Sequence, residues 1–125
     1  MANTVSWFQI PCRDFARGKR FYQTILGVAL EDMEAPGMQM AAFPGDPAKG
    51  EVGGAIVTGP GATPSGDGTI VFLNADPHLD VVLDRVEAAG GKVRVPKTPT
   101  SVEGAGYFAL FTDSEGNTVG LHSQG

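Results

Sequence analysis

Alternation of apolar and polar residues, followed by apolar residues at helical spacing, occurs twice along this chain. In the first copy, residues 5–10 alternate and are rich in β-forming side chains, which predicts a strand. Asp14 is a good N-cap for a helix over residues 15–26, and Gly27 is well placed to end it in the left-handed conformation. Three further strands are predicted over residues 28–35, 38–43 and 52–58.

One face of this first helix is apolar, with Phe15, Tyr22, Ile25 and Leu26 expected to be buried. Its basic neighbours are expected to stay in water: Arg13, Arg17, Lys19 and Arg20.

The second copy repeats this order of elements. Residues 69–75 predict a strand, and a helix over residues 77–89 has Asp76 as its predicted N-cap and Pro77 at its first position. The remaining strands are predicted over residues 93–95, 106–112 and 118–123. The polar stretch 113–117 between the last two strands is predicted to be a structural turn.

The repeat predicts an α+β fold made of two βαβββ modules within one domain, residues 1–125. Module one spans residues 1–58, a linker rich in glycine and proline spans 59–68, and module two spans 69–125. A unit of this size cannot cover its own sheet face, so the modules are expected to share a core. Two curved mixed sheets that face each other form a cup, where a ligand is expected to bind.

The composition argues against two classes of partner, nucleic acid and membranes. The net charge is −5, and the nine Lys and Arg residues are scattered, which argues against binding to nucleic acid. The chain shows no apolar run of membrane-spanning length and no signal peptide, so no membrane association is expected. Cys12 is the one cysteine, cannot form an internal disulfide and is expected to be inert, which fits a cytoplasmic location.

Four stretches resemble the vicinal oxygen chelate superfamily, which includes glyoxalase I, bleomycin-resistance proteins and extradiol dioxygenases. In chain order they are RDFARGKRFYQTILG (13–27), PGMQMAAFPGD (36–46), ADPHLDVVLDRVEAAGGKV (75–93) and FTDSEGNTVGLH (111–122). Each motif alone is common, whereas the ordered set is specific. The resemblance implies the glyoxalase/bleomycin-resistance/dioxygenase fold, in which catalytic members hold a divalent metal in the cup with His and Glu side chains.

The positions at which this superfamily places its metal ligands are occupied here by other residue types. They correspond to Trp7, a residue within 53–57, Thr69 or Ile70, and Gly120. None of these side chains is a good ligand for a divalent cation. We therefore expect no metal and no other cofactor, and neither metal-dependent glyoxalase I activity nor dioxygenase activity.

Strand alternation indicates which other side chains share a face with those positions, because residues i and i+2 point the same way. The predicted ligand-binding residues are Trp7, Gln9, Ile70, Phe72, Asn74, Thr118 and His122. Aromatic walls with a few polar groups suit a small organic molecule. Glycines at positions 53, 54 and 120 leave room near the backbone.

A structural role competes with each of these assignments. Trp7 and Phe72 are of types that more often lie in a core, and Gln9 and Asn74 are able to satisfy sheet edges. His122 is either a structural imidazole or the acid/base residue of a catalytic site, since it is the ionisable side chain placed in the cup that titrates near neutral pH.

Three functions remain open at this point. The first is a bleomycin-resistance-like protein that binds a small organic molecule in a metal-free cup. The second is a glyoxalase-like lyase or isomerase that acts on a small carbonyl compound or thiol adduct, with His122 as acid/base or with a non-standard metal site. The third is a regulatory module whose cup contacts a partner. A homodimer is expected from the exposed sheet faces and edges. The sequence does not decide which molecule binds, or whether the cup forms within one chain or between two.

Overall fold

The computed structural model describes residues 3–125, which form two sheets and two helices. The elements in chain order are β1 (Trp7–Pro11), α1 (Phe15–Leu26), β2 (Glu31–Met33), β3 (Gln39–Ala42), a 3₁₀ turn (Pro47–Lys49), β4 (Gly53–Thr58), β5 (Phe72–Asn74), α2 (Leu79–Val86), β6 (Lys92–Pro99), β7 (Tyr107–Thr112) and β8 (Thr118–Ser123).

Each half of the chain forms one sheet of mixed direction. The first sheet has the order β1-β4-β3-β2 and the second has the order β5-β8-β7-β6. β1 is parallel to β4 and β5 is parallel to β8, while the other neighbours are antiparallel. The prediction of an α+β fold with two βαβββ modules is confirmed.

Both modules contribute to a single apolar core. Tyr22 and Ile25 of α1 are fully buried, as are Phe111 of β7 and Leu121 of β8. The ring of Phe21, on α1, lies 5.9 Å from the ring of Phe111, so an aromatic contact joins the two modules. The helices cover one face of each sheet. We call the opposite face of each sheet its open face, and the functional side chains were expected there.

Helix α1 begins and ends where the sequence predicts. The Asp14 side chain accepts a hydrogen bond of 3.0 Å from the backbone N–H of Arg17, and Gly27 ends the helix with φ 66°. Phe21 is a core residue that the predicted apolar face omitted, and it is 1% exposed.

The predicted start of the second helix is wrong. The helix spans Leu79–Val86 rather than residues 77–89, and its N-cap position is occupied by His78. The Asp76 carboxylate instead accepts a hydrogen bond of 2.7 Å from the backbone N–H of Gln124. The hydroxyl of Ser123 accepts the 2.9 Å bond from the first helical N–H, that of Leu79. A side chain distant in sequence thus supplies the cap, which local spacing cannot reveal.

Several predicted strands have different lengths in the structure. The strand predicted over residues 28–35 is Glu31–Met33, and the strand predicted over residues 69–75 is Phe72–Asn74. The strand predicted over residues 93–95 is longer, Lys92–Pro99, because it continues to pair with β7 through two irregularities of register. Residues 118–123 form β8 as predicted.

The polar turn 113–117 attaches module two to module one. Glu115 is 3% exposed and accepts hydrogen bonds from the backbone N–H groups of Arg13 and Asp14, at 2.9 and 2.8 Å. Arg17 donates to the same carboxylate through Nε at 2.6 Å and Nη2 at 3.0 Å. The prediction of a structural turn agrees with these contacts. Arg17 is exposed as expected, with 46% of its side chain in contact with water, but its pairing with Glu115 was not foreseen.

Two further buried polar residues complete this turn. The Asp113 carboxylate accepts hydrogen bonds from the Tyr22 hydroxyl at 2.6 Å and from the backbone N–H of Asn117 at 2.9 Å. The Asn117 amide donates to the Pro11 carbonyl at 2.7 Å. We call Arg17, Tyr22, Asp113, Glu115 and Asn117 the inter-module network.

Cys12 lies beside this network and is 1% exposed. Burial raises the pKa of its thiol to about 12, and the nearby carboxylates of Glu115 and Asp113 act in the same direction. The thiol is therefore protonated at neutral pH and shielded from solvent, in agreement with the expectation that it is inert.

Candidate functional site

The open face of the first sheet exposes an indole ring and an amide. Trp7 and Gln9 alternate along β1 with the buried Ile10, and Trp7 is 39% exposed. Trp7 pairs with Gly53 of β4, and its ring lies against that glycine, where a Cβ would be 2.9 Å from the ring. Indole Nε1 donates a hydrogen bond of 3.2 Å to Gln9 Oε1. The room that Gly53 was expected to leave near the backbone is therefore occupied by the indole.

The open face of the second sheet carries a matching arrangement. Phe72 of β5 is 50% exposed and pairs with Gly120 of β8, and its ring lies against that glycine. The Phe72 ring also contacts the ring of Phe108 edge-on, with 6.4 Å between centroids. Ile70 precedes β5 and is 38% exposed. Each sheet therefore exposes an aromatic ring that a glycine of the neighbouring parallel strand accommodates.

The polar residues predicted for this second face already have partners within the protein. The Asn74 side chain accepts a 2.9 Å hydrogen bond from the backbone N–H of Asp76, and the Thr118 hydroxyl donates to the Gly66 carbonyl at 2.9 Å. His122 Nε2 lies 2.5 Å from the carbonyl oxygen of Ala105. A carbonyl only accepts, so Nε2 carries a proton in this contact, and Nδ1 is the ring nitrogen left for other partners.

A pocket of about 290 Å³ lies where the linker passes β1 and β4. This volume is just below the range for small-molecule sites, roughly 300–1,000 Å³. Its lining combines residues of β1 and β4, the residue before β3, and the linker: Gln9, Pro11, Met38, Val57, Pro60, Gly61, Ala62 and Thr63. We call it the linker pocket.

Gln9 is the predicted ligand-binding residue that lines the linker pocket. Trp7 is adjacent to it in β1 and is joined to it by the indole hydrogen bond, whereas the remaining predicted residues belong to the second sheet or its preceding segment. The linker residues were missed because their glycine and proline content indicated only a module boundary. The strand part of the lining could have been found from the sequence. By strand alternation Pro11 shares a face with Gln9, and Val57 shares a face with Gly53.

A second depression, of about 340 Å³, lies near the turn that follows β3 and includes Glu31, Asp46 and Glu51 in its lining. The acidic groups at its turn have local partners. Asp46 Oδ1 accepts a 2.9 Å hydrogen bond from the N–H of Ala48, and Glu51 Oε1 accepts a 2.7 Å bond from the N–H of Asp46. These carboxylates shape the turn.

The residues at the positions that correspond to the superfamily's metal site do not fit a divalent metal. Trp7 and Gly120, on the open faces, offer no ligand atom from their side chains, and neither does the adjoining Ile70. Within residues 3–125, no group of three or more His, Cys, Asp and Glu side chains is arranged to hold a metal ion. The residues present at these positions therefore support no reaction step that passes through a metal.

A sequence profile of the Glyoxalase/Bleomycin resistance protein/Dioxygenase superfamily matches residues 4–121. The chain belongs to this superfamily, as the resemblance of its four motifs indicated. Two curated relatives, the proteins named CFP32 of Mycobacterium bovis and Mycobacterium tuberculosis, are each 30% identical to it over 124 residues. The alignment covers 94% of this chain but 44% of each relative, so the chain spans less than half the length of these relatives.

Solved structures show the same fold at low sequence identity. A superfamily enzyme from Burkholderia phytofirmans has a TM-score of 0.68 and 17% identity, with 94% of this chain and 96% of that chain covered. A fosfomycin resistance protein from Listeria monocytogenes has a TM-score of 0.62 and 18% identity, with 98% and 92% covered. A glyoxalase I variant from Zea mays has a TM-score of 0.67 and 17% identity, with 94% and 45% covered.

Neither helix in the described part of the chain, residues 3–125, has the length and apolar character that crossing a bilayer requires.

Proposed function

We propose that this protein binds a small, uncharged organic molecule in the linker pocket, on the open face of the first sheet. The observation that carries the proposal is the pocket's lining, which combines apolar side chains with one amide and one hydroxyl and contains no ionisable side chain. Transfer of a charged group into such a site is costly, whereas an apolar ligand with a few polar atoms gains from it.

The side chains at the superfamily's metal-ligand positions support a binding site that needs no metal. Trp7 and Gly120 stand at positions where catalytic members of the superfamily hold a ligand, and neither provides one. The rings of Trp7 and Phe72 present exposed apolar surface on the open faces. Surface of this kind suits a flat organic molecule or a second copy of the chain, so the proposal includes a homodimer. It also includes a cytoplasmic location, which the single cysteine supports because it cannot form an internal disulfide.

Filling the linker pocket is expected to abolish ligand binding without unfolding the protein. Ala62 lines the pocket from the linker and is only partly buried, so Ala62→Phe places a ring in the cavity. Wild-type protein is expected to bind neutral aromatic probes such as acetophenone, with amide chemical-shift changes at pocket residues in a ¹⁵N NMR titration. Ala62→Phe is expected to weaken this binding at least about tenfold, since the ring occupies the ligand volume.

The matched control is Ala16→Phe, which introduces the same ring at an exposed position on α1. This variant is expected to bind as wild type does. Wild-type protein that gives no shift changes with neutral aromatic probes, or an Ala62→Phe variant that binds them unchanged, would contradict the proposal.

A lyase or isomerase activity is the second candidate, and the geometry of His122 favours it. The Ala105 carbonyl holds the Nε2 proton, so Nδ1 is the basic nitrogen and the ring has a defined orientation. His122 is half-buried beside the strand partners Asn74 and Phe108. The expected substrate is a small carbonyl compound or thiol adduct.

If His122 is the acid/base residue, His122→Gln is expected to lower kcat by about a hundredfold or more, because glutamine donates to Ala105 but cannot take up a proton. The measurement is turnover of methylglyoxal–thiol adducts, with thermal unfolding as the check on folding. Equal activity of the two proteins would exclude this role for His122, and wild-type protein without activity on these adducts would exclude the second candidate.

A further inference from the structure

The Trp7–Gln9 hydrogen bond determines which end of the Gln9 amide is available to a ligand. An indole N–H donates and never accepts, so the atom 3.2 Å from Trp7 Nε1 is the amide oxygen of Gln9. The amide is planar, so its NH₂ group points away from Trp7. Among residues 3–125, the bond from Trp7 is the one hydrogen bond that the Gln9 side chain makes.

The orientation of Trp7 is itself restricted. The indole lies against Gly53 on the neighbouring strand, where any larger residue would displace the ring. The side chains of residues i and i+2 in a strand point to the same face, which brings Nε1 to Gln9. The amide therefore has one preferred orientation before any ligand arrives.

We infer that Gln9 is a specificity-determining residue that makes the linker pocket select uncharged molecules carrying a hydrogen-bond acceptor, such as a ketone, amide or ether oxygen. Gln9 lines the pocket beside Pro11 and Val57, and because its oxygen accepts the bond from Trp7, its NH₂ group is the end left to a ligand. A ligand group that only donates finds no acceptor on Gln9, which leaves the Thr63 hydroxyl on the linker wall as the side-chain acceptor of the lining. The inference rests on the proposed function and specifies its ligand.

Trp7 acts as the positioning residue in this arrangement. Without its N–H, the Gln9 amide is free to rotate and to present either its oxygen or its nitrogen to the pocket. The selectivity for acceptors over donors is therefore a property of the pair Trp7 and Gln9, and each residue has a separate test.

Three neutral probes of similar size separate the possibilities: acetophenone carries an acceptor, ethylbenzene carries neither group, and aniline carries donors. Their dissociation constants for the full chain are measured by ¹⁵N NMR titration. Wild-type protein is expected to bind acetophenone about fivefold more tightly than ethylbenzene, the effect of one net hydrogen bond. Aniline is expected to bind less tightly than acetophenone, because Gln9 presents no acceptor to its N–H groups.

Two variants remove the donor in different ways. Gln9→Met removes it without adding charge, and Gln9→Glu removes it while keeping an oxygen for Trp7 Nε1. Both are expected to weaken acetophenone binding about fivefold and to change ethylbenzene binding less than twofold. Trp7→Phe keeps a ring on Gly53 and is expected to improve aniline binding about threefold, because the amide oxygen then reaches the pocket. A purely structural role of Trp7 would not produce that gain.

The outcomes separate a failure of the proposed function from a failure of the role assigned to Gln9. If wild-type protein binds none of the three probes, the proposed function fails. If it binds acetophenone and ethylbenzene equally, or if neither Gln9 variant changes their ratio, the inference about Gln9 is overturned while the pocket remains a binding site. An unchanged aniline affinity in Trp7→Phe would overturn the positioning role of Trp7.

Discussion

Replacement of Glu115 by alanine is expected to lower the free energy of unfolding by about 3 kcal/mol, since breaking a buried ion pair typically costs about 3–5 kcal/mol. The Glu115 side chain is fully buried, whereas the side chain of its partner Arg17 is 46% exposed and regains water, which places the value at the lower end. The variant also leaves the backbone N–H groups of Arg13 and Asp14 without their acceptor. Chemical denaturation measures the change.

An exposed ion pair of similar geometry provides the control. Lys19 Nζ lies 2.8 Å from Asp32 Oδ1, compared with 2.6 Å between Arg17 Nε and Glu115 Oε2. The Lys19 and Asp32 side chains are 27% and 68% exposed, so Asp32→Ala is expected to cost less than about 1 kcal/mol. Equal losses in Asp32→Ala and Glu115→Ala would show that the inter-module network does not hold the modules together.

The lowered pKa of the Glu115 carboxyl group predicts that stability depends on pH. Burial opposes ionisation of Glu115, but the hydrogen bonds from Arg17, the Asp14 backbone and Ser114 outweigh it and lower the pKa from 4.5 to about 2. Because the folded-state pKa lies below the unfolded value, the stabilisation is present above pH 4.5 and is lost as the pH falls toward 2. In Glu115→Gln this part of the acid dependence is expected to be absent.

Replacement of Gly106 by alanine is expected to lower the free energy of unfolding by about 2–5 kcal/mol, as the sum of left-handed backbone strain and steric overlap. Gly106 has φ 76°, and a Cβ there would overlap the carbonyl oxygen of Ser123 and lie 2.9 Å from the Cα of Gln124. Both contacts are with backbone atoms, which cannot rotate away. The clash would separate the start of β7 from the end of β8.

Gly104 is the matched control, in the same loop and with nearly the same φ. Its φ is 79°, and an added Cβ would meet no atom within 4 Å. Gly104→Ala is therefore expected to cost only the strain of the left-handed conformation, about 1–2 kcal/mol. Thermal and chemical denaturation of both variants tests the difference, and similar losses at the two positions would refute a steric role for Gly106.

Elements whose signals are local were predicted well from the sequence. The bounds of α1 follow from the Asp14 cap and the Gly27 stop, and both make the expected contacts. The cap of α2 was predicted wrongly, because Ser123 and not Asp76 accepts the hydrogen bond from Leu79. The first case depends on residues adjacent in the chain, and the second depends on the docking of β8.

The candidate site was also predicted in part, where the signal was local. Strand alternation places Trp7 and Gln9 together on the open face, because side-chain direction along a strand has a period of two residues. The linker wall of the pocket and the partners of Thr118 and His122 were not foreseen. These contacts arise where loops cross the sheets, and the path of a loop depends on the packing of both modules.

The amino-acid order alone was sufficient for the duplicated βαβββ plan, the superfamily and the residue types that point away from the core, since each rests on periodicity or on motifs read along the chain. The tertiary structure decided that Glu115 of module two binds the start of α1 and that the linker forms one wall of a pocket beside β1. Those results require groups far apart in sequence to meet, and only the folded arrangement brings them within hydrogen-bond distance.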